Sequence, residues 1–156
     1  MLNKKSILIL LSLVFLSASC LAKFYKPTDS PYQTPIIVKE QRIFVDVADT
    51  KEKMETGLSG REKLKNDEGM LFDFRAKQNK RPSFWMKGMK FGIDIIWIKD
   101  SEIIGVTNHI YPPANSFERL KTYTPPGDVD YVLEVVAGWT NEFGANAGDK
   151  IKIQNY

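Results

Sequence analysis

The chain has one cysteine and one histidine among its 156 residues, and this scarcity limits the chemistry that it can support. A lone thiol cannot form an intramolecular disulfide, so the fold must be stable through packing alone. Structural zinc sites take four Cys or His ligands, which this sequence does not contain. It also has no phosphate-binding loop and no nucleophile with a base at a recognisable spacing. We therefore predict no cofactor and no metal, and the sequence identifies no reaction.

Residues 36–156, where a folded domain is expected, also lack an excess of charge of either sign. Of the 22 basic residues, four lie in the first 35 positions, and of the 19 acidic residues only one does. The net charge of +3 therefore belongs to the N-terminal segment, and residues 36–156 hold equal numbers of basic and acidic side chains. A basic surface for a nucleic-acid backbone is not expected. We predict a monomer with no nucleic-acid partner.

Residues 1–22 have the three-part pattern of a secretory signal peptide. Lys4 and Lys5 precede an apolar stretch from Ile7 to Leu16 that only Ser12 interrupts, and small residues follow. This stretch is much shorter than the roughly 20 apolar residues that a transmembrane helix needs. We therefore expect export to the periplasm or the outer cell envelope.

The single cysteine, Cys20, follows Leu16-Ser-Ala-Ser19, which resembles the lipobox of bacterial lipoproteins, where the cysteine becomes the lipidated first residue. In the usual motif the large aliphatic residue lies three places before the cysteine, whereas here Ser17 has that place. Two outcomes stay open: lipidation of Cys20 with membrane anchoring, or cleavage near Ala22 and release as a secreted or periplasmic protein. Residues 23–35 contain three prolines and no apolar periodicity, so they are predicted to be a linker.

Residues 36–156 are predicted to form a single, mainly β (β-rich α+β) domain, compact and barrel- or sandwich-like, with one or two short helices. Short β-branched runs alternate with turn residues through this region, and two segments carry helix caps. The predicted strands are Ile36–Val38, Ile43–Ala48, Gly69–Phe74, Ile93–Lys99, Glu102–His109, Val129–Val136 and Gly148–Ile153, and the predicted helices run from Thr50 to Leu58 and from Gly138 to Gly144.

A series of short motifs, in a fixed order along the domain, resembles the domain of unknown function 192 family, DUF192. The motifs are Asp49-Thr50, Gly57-Leu58-Ser59, Glu68-Gly-Met-Leu-Phe72, Phe84-Trp-Met-Lys87, Ile93-Asp-Ile-Ile96, Val132-Leu-Glu134, Ala137-Gly138 and Gly148-Asp149. The resemblance spans about Val45 to Ile153 and implies a compact, largely β fold in a family whose members are often exported. It brings no catalytic residues. Where members commonly have Asn-Thr after the Met-Lys pair, this chain has Gly88-Met89.

Two acids lie inside apolar strand-like runs, where a carboxylate must be paired, hydrogen-bonded or exposed to solvent. Asp94 is flanked by isoleucines, and its structural role would be to accept backbone N–H bonds from the Gly88–Gly92 turn. Glu134 alternates with Val132 and Val136 and is expected to point where those valines point.

Trp85 and Lys87 complete the set of candidate ligand-binding residues, together with Asp94 and Glu134. The indole offers a large amphipathic surface, although core packing is the more frequent role of such a residue. Lys87 is a natural partner for a buried acid, and its alternative is a solvated cation.

Two functions are consistent with these residues. The first is an envelope-associated, non-enzymatic module that binds a small molecule, a glycan or a protein through the region from Trp85 to Asp94. The second is a hydrolase or lyase that uses Asp94 and Glu134 as an acid/base pair, which requires their carboxyls to lie within about 10 Å of each other. The sequence favours the first, because it shows aromatic residues and an acid flanked by apolar residues but no nucleophile or metal set.

Overall fold

A computed structural model of the chain describes residues 30–115 and 119–153. The predicted signal peptide, the predicted lipidation of Cys20 and the predicted linker up to residue 29 lie outside these residues. The described chain from Pro31 onward forms one compact unit.

The described residues contain nine strands and two short helices, which confirms the mainly β prediction. The helices are α1 (Lys51–Thr56) and α2 (Trp139–Phe143). The strands are β1 (Thr34–Val38), β2 (Gln41–Ala48), β3 (Glu68–Asp73), β4 (Phe84–Trp85), β5 (Ile93–Lys99), β6 (Glu102–Ile110), β7 (Thr122–Tyr123), β8 (Tyr131–Val136) and β9 (Ile151–Ile153).

Seven of the strands form one curled sheet in the order β6-β5-β8-β3-β2-β1-β9. The two edge strands approach each other at one end, where Glu102 at the start of β6 bridges to Lys150 beside β9. Backbone hydrogen bonds from Ile103 N–H to the Asp149 carbonyl and from Ile151 N–H to the Ser101 carbonyl reinforce this contact. The sheet is therefore a half-closed barrel, and β8 lies near its middle with a strand on either side.

Alternation along the strands gives the sheet two apolar faces, because successive side chains point to opposite sides. The inner face is a cluster that includes Ile36, Ile96, Leu133 and Trp139. The outer face carries a second cluster, which includes Met70, Ile95 and Trp97 and is covered by connecting segments. The chain thus has two cores, one on each side of a single sheet.

The outer face is covered because β2 and β3 are parallel, and a parallel pair needs a long crossover connection. Residues 49–67 form this connection, which begins with α1. Thr50 caps α1 as predicted, since its side chain accepts a hydrogen bond from Lys53 N–H. Leu58, just after the helix, is buried against the outer cluster. A second cover comes from β4 and β7, which pair with each other apart from the main sheet.

One predicted boundary is wrong. The predicted linker is too long at its C-terminal end, because Thr34 and Pro35 belong to β1 and Tyr32 is buried in the outer cluster. Between β6 and β8, the short strand β7 pairs with β4, and local periodicity in the sequence gives no signal of this pairing.

Candidate ligand-binding site

Glu134 lies on β8 in the middle of the sheet and points to the outer face. Its neighbours across the sheet are Met70 on β3 and Ile95 on β5, and both are almost fully buried. Only 5% of the Glu134 surface is exposed. The prediction that alternation turns this acid toward a core is therefore correct.

The carboxyl of Glu134 has no hydrogen-bond partner among the described residues, and the charge that acts on it comes from Arg61. Burial raises its pKa from an ordinary 4.5 to about 8, and the positive charge of Arg61 opposes that rise. A buried carboxyl without donors avoids the cost of ionisation by staying protonated at neutral pH.

Glu134 also borders a cavity of about 190 Å³, which is largely apolar. Phenylalanine rings supply part of the wall, and Met54, Met89 and the Gly57-Leu58-Ser59 segment supply the rest. The rings are those of Phe72, Phe74 and Phe84, and Phe84 lies edge-on to Phe72 with centroids 4.9 Å apart. The crossover and the β4 region thus meet over the sheet and leave a pocket between them.

Trp85 and Lys87 line the same cavity and are both exposed. Trp85 is 51% exposed, whereas the other two tryptophans, Trp97 and Trp139, are each 1% exposed. Three of the four predicted ligand-binding residues, Trp85, Lys87 and Glu134, therefore come together at one pocket.

The rim of the cavity is fixed by contacts between two loops. Ser59 donates its hydroxyl to the Lys87 carbonyl at 3.1 Å, and Gly60 N–H donates to the Gly88 carbonyl at 2.9 Å. Gly88 has a left-handed φ of +70°, and a Cβ there would lie 2.3 Å from the Ser59 hydroxyl oxygen. Glycine at this position therefore lets the loops approach closely.

Asp94 is the predicted residue that lies elsewhere. It is fully buried, with its carboxylate accepting four hydrogen bonds: His109 N–H at 2.8 Å, Gly138 N–H at 3.1 Å, Thr140 N–H at 2.9 Å and the Thr140 hydroxyl at 2.7 Å. The predicted donors, in the Gly88–Gly92 turn, are not the ones found.

The actual donors come from two irregular backbone segments. A register shift in the β5–β6 pairing beside Asp94 accompanies a positive φ of 54° at His109, and Gly138 has a φ of +88° at the start of α2. Such bulges re-aim backbone groups. Asp94 therefore ties β5 to β6 and to the first turn of α2.

The acid/base pair of Asp94 and Glu134 is not formed. Asp94 is paired in register with Val135, the residue after Glu134, so the two carboxyls point to opposite faces of the sheet. Since Asp94 is fully buried and does not reach the cavity, no substrate can contact both acids at once. A hydrolase or lyase built on this pair is excluded.

A polar network that the sequence analysis missed lies in the same cross-sheet row as Glu134. Asp46 is opposite Met70, which is opposite Glu134, so the two acids are separated by one strand. Arg61 donates to the Asp46 carboxylate and to the Tyr32 hydroxyl, at 2.6 Å in each case. Lys53 contacts the other Asp46 oxygen at 3.4 Å. The Arg61 charge is thus offset mainly by Asp46.

The remaining wall residues gave little signal in the sequence. Phe72 lies two residues after Met70 in a strand that is buried along nearly its whole length, and only strand alternation places both on the face of Glu134. The parts of the wall from residues 54–59 and 82–89 lie in a short helix, in the two-residue strand β4 and in irregular segments, where periodicity does not indicate which side chain points inward.

Within residues 30–115 and 119–153, no three His, Cys, Asp or Glu side chains are grouped so that they could hold a metal ion. In the same part of the chain, no helix is long and apolar enough to cross a membrane.

Comparison with known proteins supports the family resemblance. Two solved structures are similar to this chain over 76% of its length. One, described as a proposed transcription regulator from Sinorhizobium meliloti 1021, is 26% identical with a TM-score of 0.65, and the match covers 90% of it. The other, a protein of unknown function from Novosphingobium aromaticivorans DSM 12444, is 25% identical with a TM-score of 0.66, and the match covers 83% of it.

Among curated proteins, none matches this chain. The model of the DUF192 family, described as an uncharacterized ACR, matches residues 34–153, which is nearly the whole of the region that the structure describes. This chain belongs to the DUF192 family.

Proposed function

We propose that this domain is a binding module whose cavity takes a small, mainly apolar ligand. The observation that carries the proposal is a buried carboxyl, that of Glu134, which has no partner among the described residues and borders an aromatic-lined cavity. Pockets that bind small molecules are typically apolar with a few polar groups that fix orientation.

The volume of the cavity limits what it encloses. A cavity of about 150 Å³ holds benzene, and drug-sized ligands need about 300 Å³ or more. At about 190 Å³, this cavity accommodates one ring or a short alkyl chain. Among the three ligand classes that the sequence left open, a small molecule therefore fits better than a glycan.

Exposed Trp85 extends the apolar surface from the cavity to solvent. Large exposed aromatic residues are common where a partner or a ligand docks, because a rigid ring loses little entropy on binding. The part of a ligand that remains outside the cavity would contact this indole. A larger molecule could thus insert only its end.

The setting that we propose for this module is the cell envelope. Support comes from the signal-peptide pattern of residues 1–22 and from Cys20, which would place a lipid anchor next to a proline-containing linker. In that arrangement the cavity samples molecules close to a membrane surface.

The name of the Sinorhizobium meliloti relative suggests a second function, in transcription regulation, which we do not favour for this chain. Proteins that bind a nucleic-acid backbone carry a basic patch or stripe. Here residues 36–156 balance in charge, and several cations near the cavity are paired with acids, such as Arg81 with Asp128 at 2.9 Å.

Binding can be tested with 1-butanol and benzyl alcohol, two neutral probes that match the cavity volume. Backbone amide NMR shifts should saturate at millimolar probe concentrations and map to residues 54–59 and 82–89. The emission of Trp85 should change with them, because its exposed indole lines the cavity.

Two variants serve as controls. Ser83→Phe places a ring at an exposed position on the cavity wall and should abolish saturation. Trp85→Phe should remove the fluorescence change but keep the NMR shifts. If neither probe saturates, or if Ser83→Phe binds both as tightly as the original chain, the cavity is not a binding site.

A further inference from the structure

Given the proposed function, the chemistry of the cavity also indicates the chemical class of its ligand. We propose that the group that reaches Glu134 is an organic ammonium, a positively charged amine on a small apolar body. Three features of the cavity support this: its carboxyl, its aromatic wall and its size.

The carboxyl is the only buried titratable group among the described residues that line the cavity. When ionised, it accepts hydrogen bonds and donates none, so its complement is a donor. A cation supplies donors and the opposite charge together, and charge-assisted hydrogen bonds are about twice as strong as neutral ones. An anionic ligand would instead meet a like charge or a protonated acid.

The wall favours a cation with an apolar body. Aromatic rings attract ammonium groups that lie within about 6 Å of the ring centroid. Four rings line this cavity, those of Phe72, Phe74, Phe84 and Trp85. Thioethers of Met54 and Met89 complete an apolar wall, and such flexible side chains fit a short alkyl chain or one ring.

The other charged groups near Glu134 do not exclude a cation from the cavity. Its neighbours on the adjacent strands, Met70 and Ile95, carry no charge. Arg61 acts on it from the crossover, but the Arg61 guanidinium is hydrogen-bonded to Asp46. Two further charged residues, Glu55 and Lys87, line the cavity; both are exposed and opposite in sign.

The test compares three butyl compounds of nearly equal size: n-butylammonium, 1-butanol and butyrate. Titrations followed by amide NMR at pH 8.5 should show n-butylammonium binding about tenfold or more tightly than 1-butanol, since a hydrogen bond to a charged group is stronger. Butyrate should bind more weakly than either.

The same titrations at lower pH report on Glu134. An alkyl ammonium resembles lysine, whose ordinary pKa is about 10.4, so it stays charged between pH 6 and 8.5. Since the pKa of Glu134 is about 8, affinity for n-butylammonium should fall about tenfold per pH unit below that value. Affinity for 1-butanol should stay constant or rise as the carboxyl becomes protonated.

Two matched variants test whether Glu134 causes the preference for n-butylammonium and its pH dependence. Glu134→Gln should remove the preference for n-butylammonium and its pH dependence while still binding 1-butanol. Glu40→Gln makes the same chemical change at an exposed position outside the cavity, in the turn between β1 and β2, and should keep both. A capped lysine amide distinguishes two sources of the amine: binding as tight as that of n-butylammonium indicates a protein side chain, and weaker binding indicates a free small molecule.

Each outcome decides one of the two proposals. If 1-butanol saturates the cavity but n-butylammonium binds no more tightly at pH 8.5, the ammonium proposal is wrong and the binding module remains. The same holds if Glu134→Gln retains the preference. If none of the three compounds saturates, the proposed function itself fails.

Discussion

Replacing Glu134 with glutamine should stabilise the domain at neutral pH and leave its stability almost unchanged at pH 4. In the unfolded chain the carboxyl has an ordinary pKa of 4.5, and in the folded domain burial raises the pKa to about 8. Between these values the unfolded state has released a proton that the folded state keeps. Folding is therefore favoured least at high pH, and the destabilisation develops as pH rises from 4.5 to 8.

The magnitude follows from the difference between the two pKa values. Each unit corresponds to about 1.36 kcal/mol, so the free energy of unfolding should be lowered by roughly 3 kcal/mol at pH 7 and by roughly 5 kcal/mol above pH 8. Only 5% of Glu134 is exposed, so solvent does not screen this effect appreciably. Glutamine has no charged form, so the variant should not show this loss.

Denaturant unfolding of both proteins at several pH values measures the effect. The difference in unfolding free energy between Glu134→Gln and the original chain should be near zero at pH 4. Between pH 5 and 8 it should grow with a slope of about 1.36 kcal/mol per pH unit. All other titrating groups cancel in this difference. Glu55→Gln, at an exposed position in the wall of the same cavity, is the control and should change the stability only slightly.

A difference that does not change with pH would refute the reasoning, because it would mean that Glu134 ionises normally in the folded domain. A Glu134→Gln variant that is less stable at pH 7 would refute it as well. That result would indicate a donor to the carboxylate. The neutral amide would then lose the stronger, charge-assisted hydrogen bond.

Three further predictions concern other parts of the chain. Asp94→Ala should lower the free energy of unfolding by about 3 kcal/mol, measured by denaturant unfolding, because it leaves buried donors unpaired; an unchanged value would contradict its role in the fold. A chain that begins at residue 36 should be less stable than one that begins at residue 30, because it lacks buried Tyr32 and the first residues of β1; equal melting temperatures would show that these contacts contribute nothing. Fatty-acid labelling of the full chain in a bacterial host should depend on Cys20, and equal labelling of Cys20→Ala would exclude the lipid anchor.

Local pattern was sufficient to predict most strands and both helices. The turn at Asp100 and Ser101 illustrates why, since it lies between two strongly apolar runs. Both residues have positive φ, at 49° and 60°, as a two-residue hairpin of type I′ requires. Alternation also predicted that Glu134 faces a core. These features depend on residues that are close in sequence.

Contacts between distant residues were not predictable in the same way. The flanking isoleucines showed that Asp94 needs partners, but its donors lie 15, 44 and 46 positions away. The opposite orientations of Asp94 and Glu134 depend on the register between β5 and β8, which no local pattern specifies. The cavity depends on two segments, residues 54–59 and 82–89, that are distant in sequence and meet only in the folded domain.

Asp94 and Glu134 differ in what the rest of the chain provides for them. Asp94 has four donors and holds three elements together, so its charge is compensated within the fold. Glu134 has apolar Met70 and Ile95 as neighbours and no donor among the described residues. If packing were its only role, a leucine or methionine would fill the same space without the cost of burying a carboxyl. The carboxyl gains a hydrogen bond only when a polar group enters the cavity, which is why its position argues for a ligand rather than for stability.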